Sequence, residues 1–172
     1  PFKIVIVCNT VEKSQKMFKK LQKLEPEINM ELLHSRFIYK HRCEKEDRIN
    51  DWIRKDESFI LIATQVIEVS LDISFDFMIT ECAPLEALVQ RFGRVNRYGR
   101  RTKKINIWIT FPSEIKVGGR YPYEKNDIVN TWRLLENFEE DNLENEFQLI
   151  EEYDREAILS PSKQKDVYNT LE

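Results

Sequence analysis

The sequence predicts an α/β fold, in which a mostly parallel sheet is flanked by helices, and two observations lead to that prediction. Short apolar runs that are rich in β-branched residues alternate with helical patterns up to Phe111. Helices between successive strands return the chain for parallel pairing and cover both faces of the sheet. The chain has 172 residues, of which 41% are hydrophobic, so it can bury one sizeable core and we expect one main domain.

Five apolar runs are the predicted strands. They are Phe2–Cys8, Met30–His34, Phe59–Ala63, Phe77–Thr80 and Lys104–Phe111. In the last run isoleucines recur at every second position, at 105, 107 and 109, which predicts that they point inward. Parallel sheets of this kind bind ligands at loops beyond the carboxyl ends of their strands. The loops to consider are those after Cys8, His34, Ala63 and Glu81.

Three helices are predicted between these strands. The first begins where Asn9 and Glu12 form a capping-box-like pair, and Pro26 marks its end. Its apolar residues fall on one stripe, as expected for a helix that covers a sheet. They are Val11, Met17, Phe18, Leu21 and Leu24. The second helix spans Cys43–Arg54, where Ile49, Trp52 and Ile53 would pack inward, and the third runs from Leu85 to about Asn96.

Beyond Phe111 the pattern changes. A turn-rich stretch through Gly118, Gly119 and Pro122 precedes two helical segments, near Ile128–Phe138 and Glu144–Leu159. We therefore predict a main domain over residues 1–111 and a mostly helical, acidic appendage over residues 112–172.

The net charge of −3 hides two blocks of opposite sign. Seven basic residues and no acid lie between Arg91 and Lys104. Ten acids and the single base Arg155 lie between Glu136 and Glu156. The overall charge consequently excludes neither a nucleic-acid partner nor a protein partner, and we interpret the acidic run as a solvated helix surface.

The cysteines, the histidines and the hydropathy of the chain bear on its cellular location and on metal binding. Cys8, Cys43 and Cys82 lie far apart without a C-x-x-C spacing, which favours neither a disulfide framework nor a zinc site and fits a reducing cytoplasm. No long apolar run predicts a membrane span, and His34 and His41 lack the neighbours of a metal site. The chain opens inside a predicted strand without an initiator methionine, so we expect a fragment of a longer protein.

The segment Gln90–Arg97, with the sequence QRFGRVNR, carries arginines at every third position of the predicted third helix. On a helix Arg94 and Arg97 are one turn apart, so they would present two planar guanidinium groups to one target such as a phosphate chain. Gly93 would lower helix stability by about 1 kcal/mol relative to alanine, so we expect a packing or close-approach reason for it. The alternative is a basic helix that simply faces solvent.

The segment Ala63–Ile73, with the sequence ATQVIEVSLDI, follows a buried strand. Hydroxyls and backbone amides at a strand end, such as those of Thr64, can bind backbone phosphates, and a carboxylate such as Asp72 can accept hydrogen bonds from ribose hydroxyls. The alternative is local: Thr64 or Ser70 would cap a short helix, and Asp72 would bond nearby backbone amides.

Together these two segments resemble motifs V and VI of superfamily 2 helicases. The amino-acid sequences of these two segments are most similar to those of the CRISPR-associated helicase that partners a type I surveillance complex. Ile4–Thr10 resembles motif IV of the same proteins, and His34-Ser35-Arg36 resembles a loop that touches single strands. The resemblance covers Pro1–Phe111, and it implies a RecA-like domain that forms the second half of the motor.

The resemblance also implies residue roles. Arg94 and Arg97 would reach the γ-phosphate of ATP that is bound on a partner domain, with Gln90 beside them. On the nucleotide side, the implied binding residues are Asp72, Arg91 and Gly93. Asp72 would meet the ribose, and Arg91 would also support the helix. The predicted contacts with nucleic acid are Ser35, Arg36, Thr64 and Gln65. Many members of this family carry an acid where this chain has Ser74.

The chain contains no G-x-x-x-x-G-K-[ST] loop and no following acidic box. We therefore expect an N-terminal RecA-like partner domain to hold the phosphates of ATP and Mg²⁺, and we expect this chain alone to be inactive. The other implied partners are single-stranded DNA, a nuclease domain and a CRISPR surveillance complex. The alternatives are a docking scaffold that has lost motor function, and a Rossmann domain, which Cys8-Asn9-Thr10 disfavours because no glycine-rich fingerprint follows the first strand.

Overall fold

In the part of the chain that the structure describes, five strands form one parallel sheet, as predicted. The computed structural model describes residues 1–69, 72–97, 106–112 and 121–137. The strands are β1 Lys3–Val7, β2 Asn29–Leu33, β3 Phe59–Ala63, β4 Phe77–Glu81 and β5 Asn106–Thr110. Each lies within two residues of a predicted strand, and their order in the sheet is β2-β3-β1-β4-β5. Every neighbouring pair is parallel, which confirms the α/β class with a RecA-like sheet.

Among the described residues, five helices accompany the sheet. They are α1 Val11–Leu24, α2 Tyr39–Arg54, α3 Val66–Val69, α4 Leu85–Phe92 and α5 Lys125–Asn137. On one face of the sheet, Met17, Phe18 and Leu21 of α1 pack against a core that includes Ile6 and Ile62. On the other face, α2 and α3 cover a second core around the fully buried strand β3. A strand buried on both faces needs this continuous apolar run.

The start of α1 differs from the prediction. Thr10, rather than Asn9, is the N-cap: its hydroxyl accepts a hydrogen bond from the backbone N of Lys13 at 3.3 Å. The Asn9 side chain is buried and is bonded instead to the carbonyl of Cys82, directly after β4, and to Arg91 of α4. The predicted capping box was therefore wrong, because the Asn9 side chain forms tertiary hydrogen bonds and does not cap α1.

The helix α2 begins at Tyr39, four residues before the predicted start at Cys43. Its first turn, Tyr-Lys-His-Arg, is exposed or half-buried and presents no apolar stripe, so periodicity could not mark it. The predicted inward positions are confirmed, since Ile49 is fully buried and Trp52 and Ile53 pack against the same core.

The helix α4 ends at Phe92, so the prediction that it runs to about Asn96 was wrong. Val95 instead forms a parallel bridge with Phe75 and is 6% exposed. Asn96 then adopts a φ of 48°, a left-handed conformation that asparagine tolerates better than most residues. Burial of Val95 beside Phe75 outweighs continuation of a helix that Gly93 already weakens.

The segment after β3 does not stop at the carboxyl edge of the sheet. It passes through α3 and returns to the start of β4, with Ile67, Ile73 and Phe75 buried in the core on the way. Just before β4, the backbone N of Asp76 donates to the carbonyl of Lys3 at the start of β1. This path places Asp72 and Phe75 away from the carboxyl edge, where the sequence had placed all ligand loops.

The helix α5 packs directly on the main domain. Its Ile128 is fully buried in a cluster with Cys82, Ala83 and Leu88. The predicted helix Glu144–Leu159 and the inward position of residue 105 lie outside the described residues, and the domain boundary at residue 111 stays a prediction. Over the described ranges, no helix is both long and apolar enough to cross a membrane.

Candidate functional site

Arg91 lies at the centre of a buried polar cluster. Its side chain is 0% exposed. The guanidinium donates to the Glu68 carboxylate at 3.0 Å, to the Thr80 hydroxyl at 2.8 Å and to the carbonyl of Glu81 at 3.0 Å. It also donates to the Asn9 side-chain oxygen at 3.2 Å and to the Tyr123 hydroxyl at 3.0 Å. Because each of these donors is already used inside the protein, Arg91 supports the site and is not available to touch a nucleotide.

Asn9 connects this cluster to the end of β4. Its backbone N donates to the Glu81 carboxylate at 2.8 Å, and its side-chain NH₂ donates to the carbonyl of Cys82 at 2.8 Å. The other oxygen of the Glu81 carboxylate accepts from Lys13 of α1. These bonds join the loop after β1 to β4 and to α1, so the carboxyl edge of the sheet is held by side chains as well as by the strand ladder.

Two tyrosines from the segment that leads into α5 complete the cluster. The Tyr121 hydroxyl accepts from Asn9 at 3.0 Å, and the Tyr123 hydroxyl lies 3.5 Å from the Glu68 carboxylate. Burial raises the pKa of both tyrosines above the ordinary value, so their hydroxyls stay protonated at physiological pH. Burial, together with the Glu81 carboxylate, also raises the pKa of the neighbouring Cys8 thiol to about 12, so this thiol is neutral at physiological pH.

Arg94 and Arg97 follow α4 rather than lying on it. An Arg94 guanidinium nitrogen donates to the backbone carbonyl of Glu68 at 2.5 Å, and Arg97 forms an ion pair with Asp72. The Arg97 side chain is 41% exposed and that of Asp72 is 78% exposed. The helical geometry that predicted a common direction is therefore absent, and contacts with residues 68 and 72 hold the two side chains instead.

The backbone of the same two segments is also joined. The carbonyl of Arg94 accepts from the backbone N of Phe75 at 2.8 Å, and the backbone N of Arg97 donates to the Ser74 hydroxyl at 3.0 Å. The end of the QRFGRVNR segment is thus fastened to the two residues that follow the ATQVIEVSLDI segment. The Ser74 hydroxyl provides one of these bonds.

The predicted nucleic-acid contacts lie at the carboxyl edge of β2 and β3. Ser35 and Arg36 are exposed in the loop after β2. Thr64 is only 2% exposed, and its backbone N donates to the carbonyl of Leu33 at 3.2 Å. The Gln65 side chain is half-buried and donates to the carbonyl of Asn9 at 2.9 Å. The exposed groups at this edge are therefore Ser35 and Arg36, while Thr64 and Gln65 shape the loop beneath them.

His34 lies under this loop. Its ring is 4% exposed and stacks on Phe37, with ring centroids 4.1 Å apart. Its Nε2 lies 3.3 Å from the side-chain nitrogen of Gln15, and its buried Nδ1 has no hydrogen-bond partner among the described residues. Burial lowers the pKa of His34, so the ring is neutral at pH 7.

Gln90 and Gly93 are both exposed at the end of α4. Gly93 has a φ of −60°, which every residue can adopt, and an added Cβ there would meet only backbone oxygens at 3.6 Å. The packing reason that the sequence suggested for Gly93 is therefore not found among the described residues. Close approach of a group from outside the domain stays a prediction.

The sequence did not identify three members of the Arg91 cluster: Asn9, Thr80 and Tyr123. The sequence contained one indication of this cluster: Glu68 lies in an otherwise apolar stretch. A carboxylate in such a place is a suitable partner for a buried arginine, which needs one. The described residues include no group of three or more side chains that could hold a metal ion. This arrangement places the half-buried Arg94 near the exposed pair Arg97 and Asp72. The arginine donors suit anionic groups such as phosphates.

The parallel sheet and the two joined segments define the class of protein: a RecA-like domain of the superfamily 2 helicase type. A solved structure titled C-terminal domain of the DEAD-box protein Dbp5 shares this fold, with a TM-score of 0.51 at 20% identity over 80% of this chain and 72% of that one. Residues 2–100 match the family described as CRISPR-associated nuclease/helicase Cas3, C-terminal. The chain belongs to this family.

Two Cas3 relatives agree with that assignment. The CRISPR-associated endonuclease/helicase Cas3 of Escherichia coli is 30% identical over 148 residues, and a putative Cas3 of Methanocaldococcus jannaschii is 37% identical over 142 residues. These matches cover 81% and 78% of this chain but only 17% and 18% of the two relatives. The crystal structure of T. fusca Cas3 with ATP matches with a TM-score of 0.75 at 24% identity, over 98% of this chain and 22% of that one.

Proposed function

We propose that this chain is the second motor domain of an ATP-dependent helicase that moves along single-stranded DNA in CRISPR interference. The observation that carries the proposal is the joint between the segments 72–75 and 94–97. It brings Arg94, Arg97 and Asp72 together at the surface through the Phe75 and Ser74 bonds described above. A second motor domain must present such a group of charges across a cleft to nucleotide on the first.

In this proposal Arg94 and Arg97 act as arginine fingers. They stabilise negative charge that develops on the transferred phosphoryl group, as preorganised cationic donors do in phosphoryl transfer. Asp72 contacts the nucleotide ribose, and its ion pair with Arg97 keeps both side chains extended until nucleotide separates them. Gln90 and Gly93, exposed at the end of α4, line the same surface. The buried Arg91 positions this segment through Glu68 and does not itself contact ATP.

Single-stranded DNA is proposed to cross the carboxyl edge of the sheet. Ser35 and Arg36 are exposed there and can bind backbone phosphates, a contact that does not depend on base sequence. Thr64 and Gln65 set the shape of the neighbouring loop, because the first is buried and the second is bonded to Asn9. The segment 64–72 connects this edge to the arginines and can transmit the state of one site to the other.

The proposed partners include the domain that would supply the parts of the motor that this chain lacks. An N-terminal RecA-like domain would hold the phosphates of ATP and Mg²⁺, because this chain lacks the phosphate-binding loop. The Escherichia coli relative is named an endonuclease as well as a helicase, and a fold neighbour comes from a structure titled CRISPR RNA-guided surveillance complex, pre-nicking. We propose a nuclease domain and such a complex as further partners, acting in the cytoplasm.

The competing proposal is a docking scaffold that has lost motor function. Retention of Arg94, Arg97 and Asp72 in one surface group favours the motor, since a scaffold has no need of two arginines beside a carboxylate. ATP turnover separates the two proposals. The chain alone should hydrolyse no ATP, and the longer protein that includes the first motor domain should hydrolyse ATP when single-stranded DNA is added. Turnover by the isolated chain, or none by the longer protein, would contradict the proposed motor.

A further inference from the structure

Tyr123 brings a hydroxyl from outside the two motif segments into the buried Arg91 cluster. The Tyr123 hydroxyl accepts from an Arg91 guanidinium nitrogen at 3.0 Å and donates to a Glu68 carboxylate oxygen at 3.5 Å, a long hydrogen bond. The Nε of Arg91 donates to that same oxygen at 3.0 Å. The three side chains therefore form a closed ring of hydrogen bonds, to which α3, α4 and the residues just before α5 each contribute one member.

The place of the Tyr123 hydroxyl depends on α5. The Tyr123 ring packs against an apolar cluster that includes Leu88 of α4 and Ile128 of α5. The thiol of Cys82, directly after β4, donates to the carbonyl of Ile128 at 3.7 Å, which ties α5 to this edge of the sheet. Burial raises the pKa of Tyr123, so at physiological pH the hydroxyl keeps the proton that it donates to Glu68.

Glu68 connects this ring of hydrogen bonds to Arg94. The Glu68 carboxylate is held by Arg91 and Tyr123, and its backbone carbonyl accepts from an Arg94 guanidinium nitrogen at 2.5 Å. The helix α3 that contains Glu68 spans only Val66–Val69, about one turn, so few bonds within the helix fix the direction of that carbonyl. A change in how the carboxylate is held will consequently move the group that holds Arg94.

We propose that Tyr123 is a positioning residue for ATP turnover, which sets the direction of Arg94 through Glu68 and does not itself touch the nucleotide. This inference rests on the proposed function, in which Arg94 is an arginine finger. It extends the motor beyond the two motif segments, because the segment 121–137 then takes part in aligning Arg94. A displacement of α5 would accordingly change the rate of ATP turnover.

The variant Tyr123→Phe tests the proposal in the longer protein that includes the first motor domain. It removes the hydroxyl but keeps the ring that packs on Leu88 and Ile128, and Arg91 retains its acceptors on Glu68 and Thr80. We expect kcat for ATP to fall at least about tenfold, since a misplacement of about 1 Å at a reacting centre can cost about 10²-fold. The KM for ATP and the affinity for single-stranded DNA should stay at their wild-type values, because a finger acts on charge that develops in the transition state.

The split between kcat and KM distinguishes positioning from a purely structural role. Turnover is expressed per ATP-binding site, so misfolded molecules are not counted, and thermal melting checks the fold. The matched control Tyr39→Phe, at a position on α2 that is 82% exposed, should keep the wild-type kcat. A wild-type kcat in Tyr123→Phe, or an equal loss in Tyr39→Phe, would overturn the inference.

A double-mutant cycle with Arg94→Ala tests the route through Arg94. In single-turnover assays with radiolabelled ATP, Tyr123→Phe should cause no further loss in the Arg94→Ala background, because the side chain that it positions is already absent. The same loss in both backgrounds would overturn the proposed route. Severe loss in Arg94→Ala beside normal turnover in Tyr123→Phe would overturn this inference alone. Normal turnover in Arg94→Ala would overturn the proposed finger and this inference with it.

Discussion

Arg91 and Glu68 form an ion pair in which the arginine is completely buried and donates its Nε hydrogen to the carboxylate at 3.0 Å. The backbone carbonyl of the same Glu68 holds Arg94. One residue of the ATQVIEVSLDI segment therefore fastens two arginines of the QRFGRVNR segment. The buried arginine supports the arrangement from beneath, and the second arginine lies at its surface.

Replacing the buried Arg91 should destabilise the domain. We expect Arg91→Met to lower the free energy of unfolding by about 3 to 5 kcal/mol, because it leaves Glu68, Thr80 and Asn9 without their buried partner. Urea unfolding measures the change. The matched variant Arg97→Met, at a position that is 41% exposed, should cost less than about 1 kcal/mol. Equal losses in the two variants would contradict the central position of Arg91.

Replacing either Arg94 or Arg97 with lysine should leave the fold intact and stop catalysis. In a protein that includes the first motor domain, Arg94→Lys and Arg97→Lys should each reduce ATP turnover severely, since lysine cannot reproduce the planar guanidinium fork. Arginine fingers contribute about 10³ to 10⁵ in rate. Turnover is measured at saturating ATP and single-stranded DNA, with thermal melting to check folding.

Arg54→Lys, on an arginine of α2 whose side chain is 74% exposed, is the matched control for the finger variants and should hydrolyse ATP like the wild type. If Arg94→Lys and Arg97→Lys melt normally and stay within a factor of about three of the wild type, far below the finger range, neither arginine is a finger.

Binding to single-stranded DNA should be weak, independent of sequence and dependent on salt. The logarithm of the association constant should fall linearly with that of the salt concentration, and Arg36→Ala should reduce the slope by about 0.7, the value for one phosphate contact to a single strand. Fluorescence anisotropy with a labelled oligonucleotide measures both quantities. Arg54→Ala should keep the wild-type slope. An affinity that does not change with salt would favour the scaffold.

His34 should make the fold sensitive to mild acid. Its pKa is lowered by burial, so the unfolded chain binds more protons than the folded chain below about pH 6.5, and the free energy of unfolding falls as the pH drops through that value. The variant His34→Gln should show less of this decrease between pH 7 and 5, measured by urea unfolding. His41→Gln, on the exposed start of α2, should retain it. A pH profile that is the same in the His34 variant and in the wild type would refute this role of burial.

Hydrophobic periodicity alone determined most of the fold. The apolar runs that became β1 to β5 are spaced to leave room for helices as crossovers, so a mostly parallel sheet was the expected outcome. The α1 stripe through Met17 and Leu21 was likewise visible, since it depends on residues three or four apart in the sequence. The two motif segments were found for the same reason: their residues are contiguous.

Only the tertiary structure decided how these segments meet. A helix through Gly93 to Asn96 satisfies local propensity, but the chain instead pairs Val95 with Phe75, which lies 20 residues earlier, because that pairing buries both side chains. The direction of Arg91 depends on Asn9 and Tyr123, which are 82 and 32 residues away. A pattern with a short period contains no information about such pairs. Whether an arginine is buried as support or exposed as a contact is therefore settled by packing between distant segments.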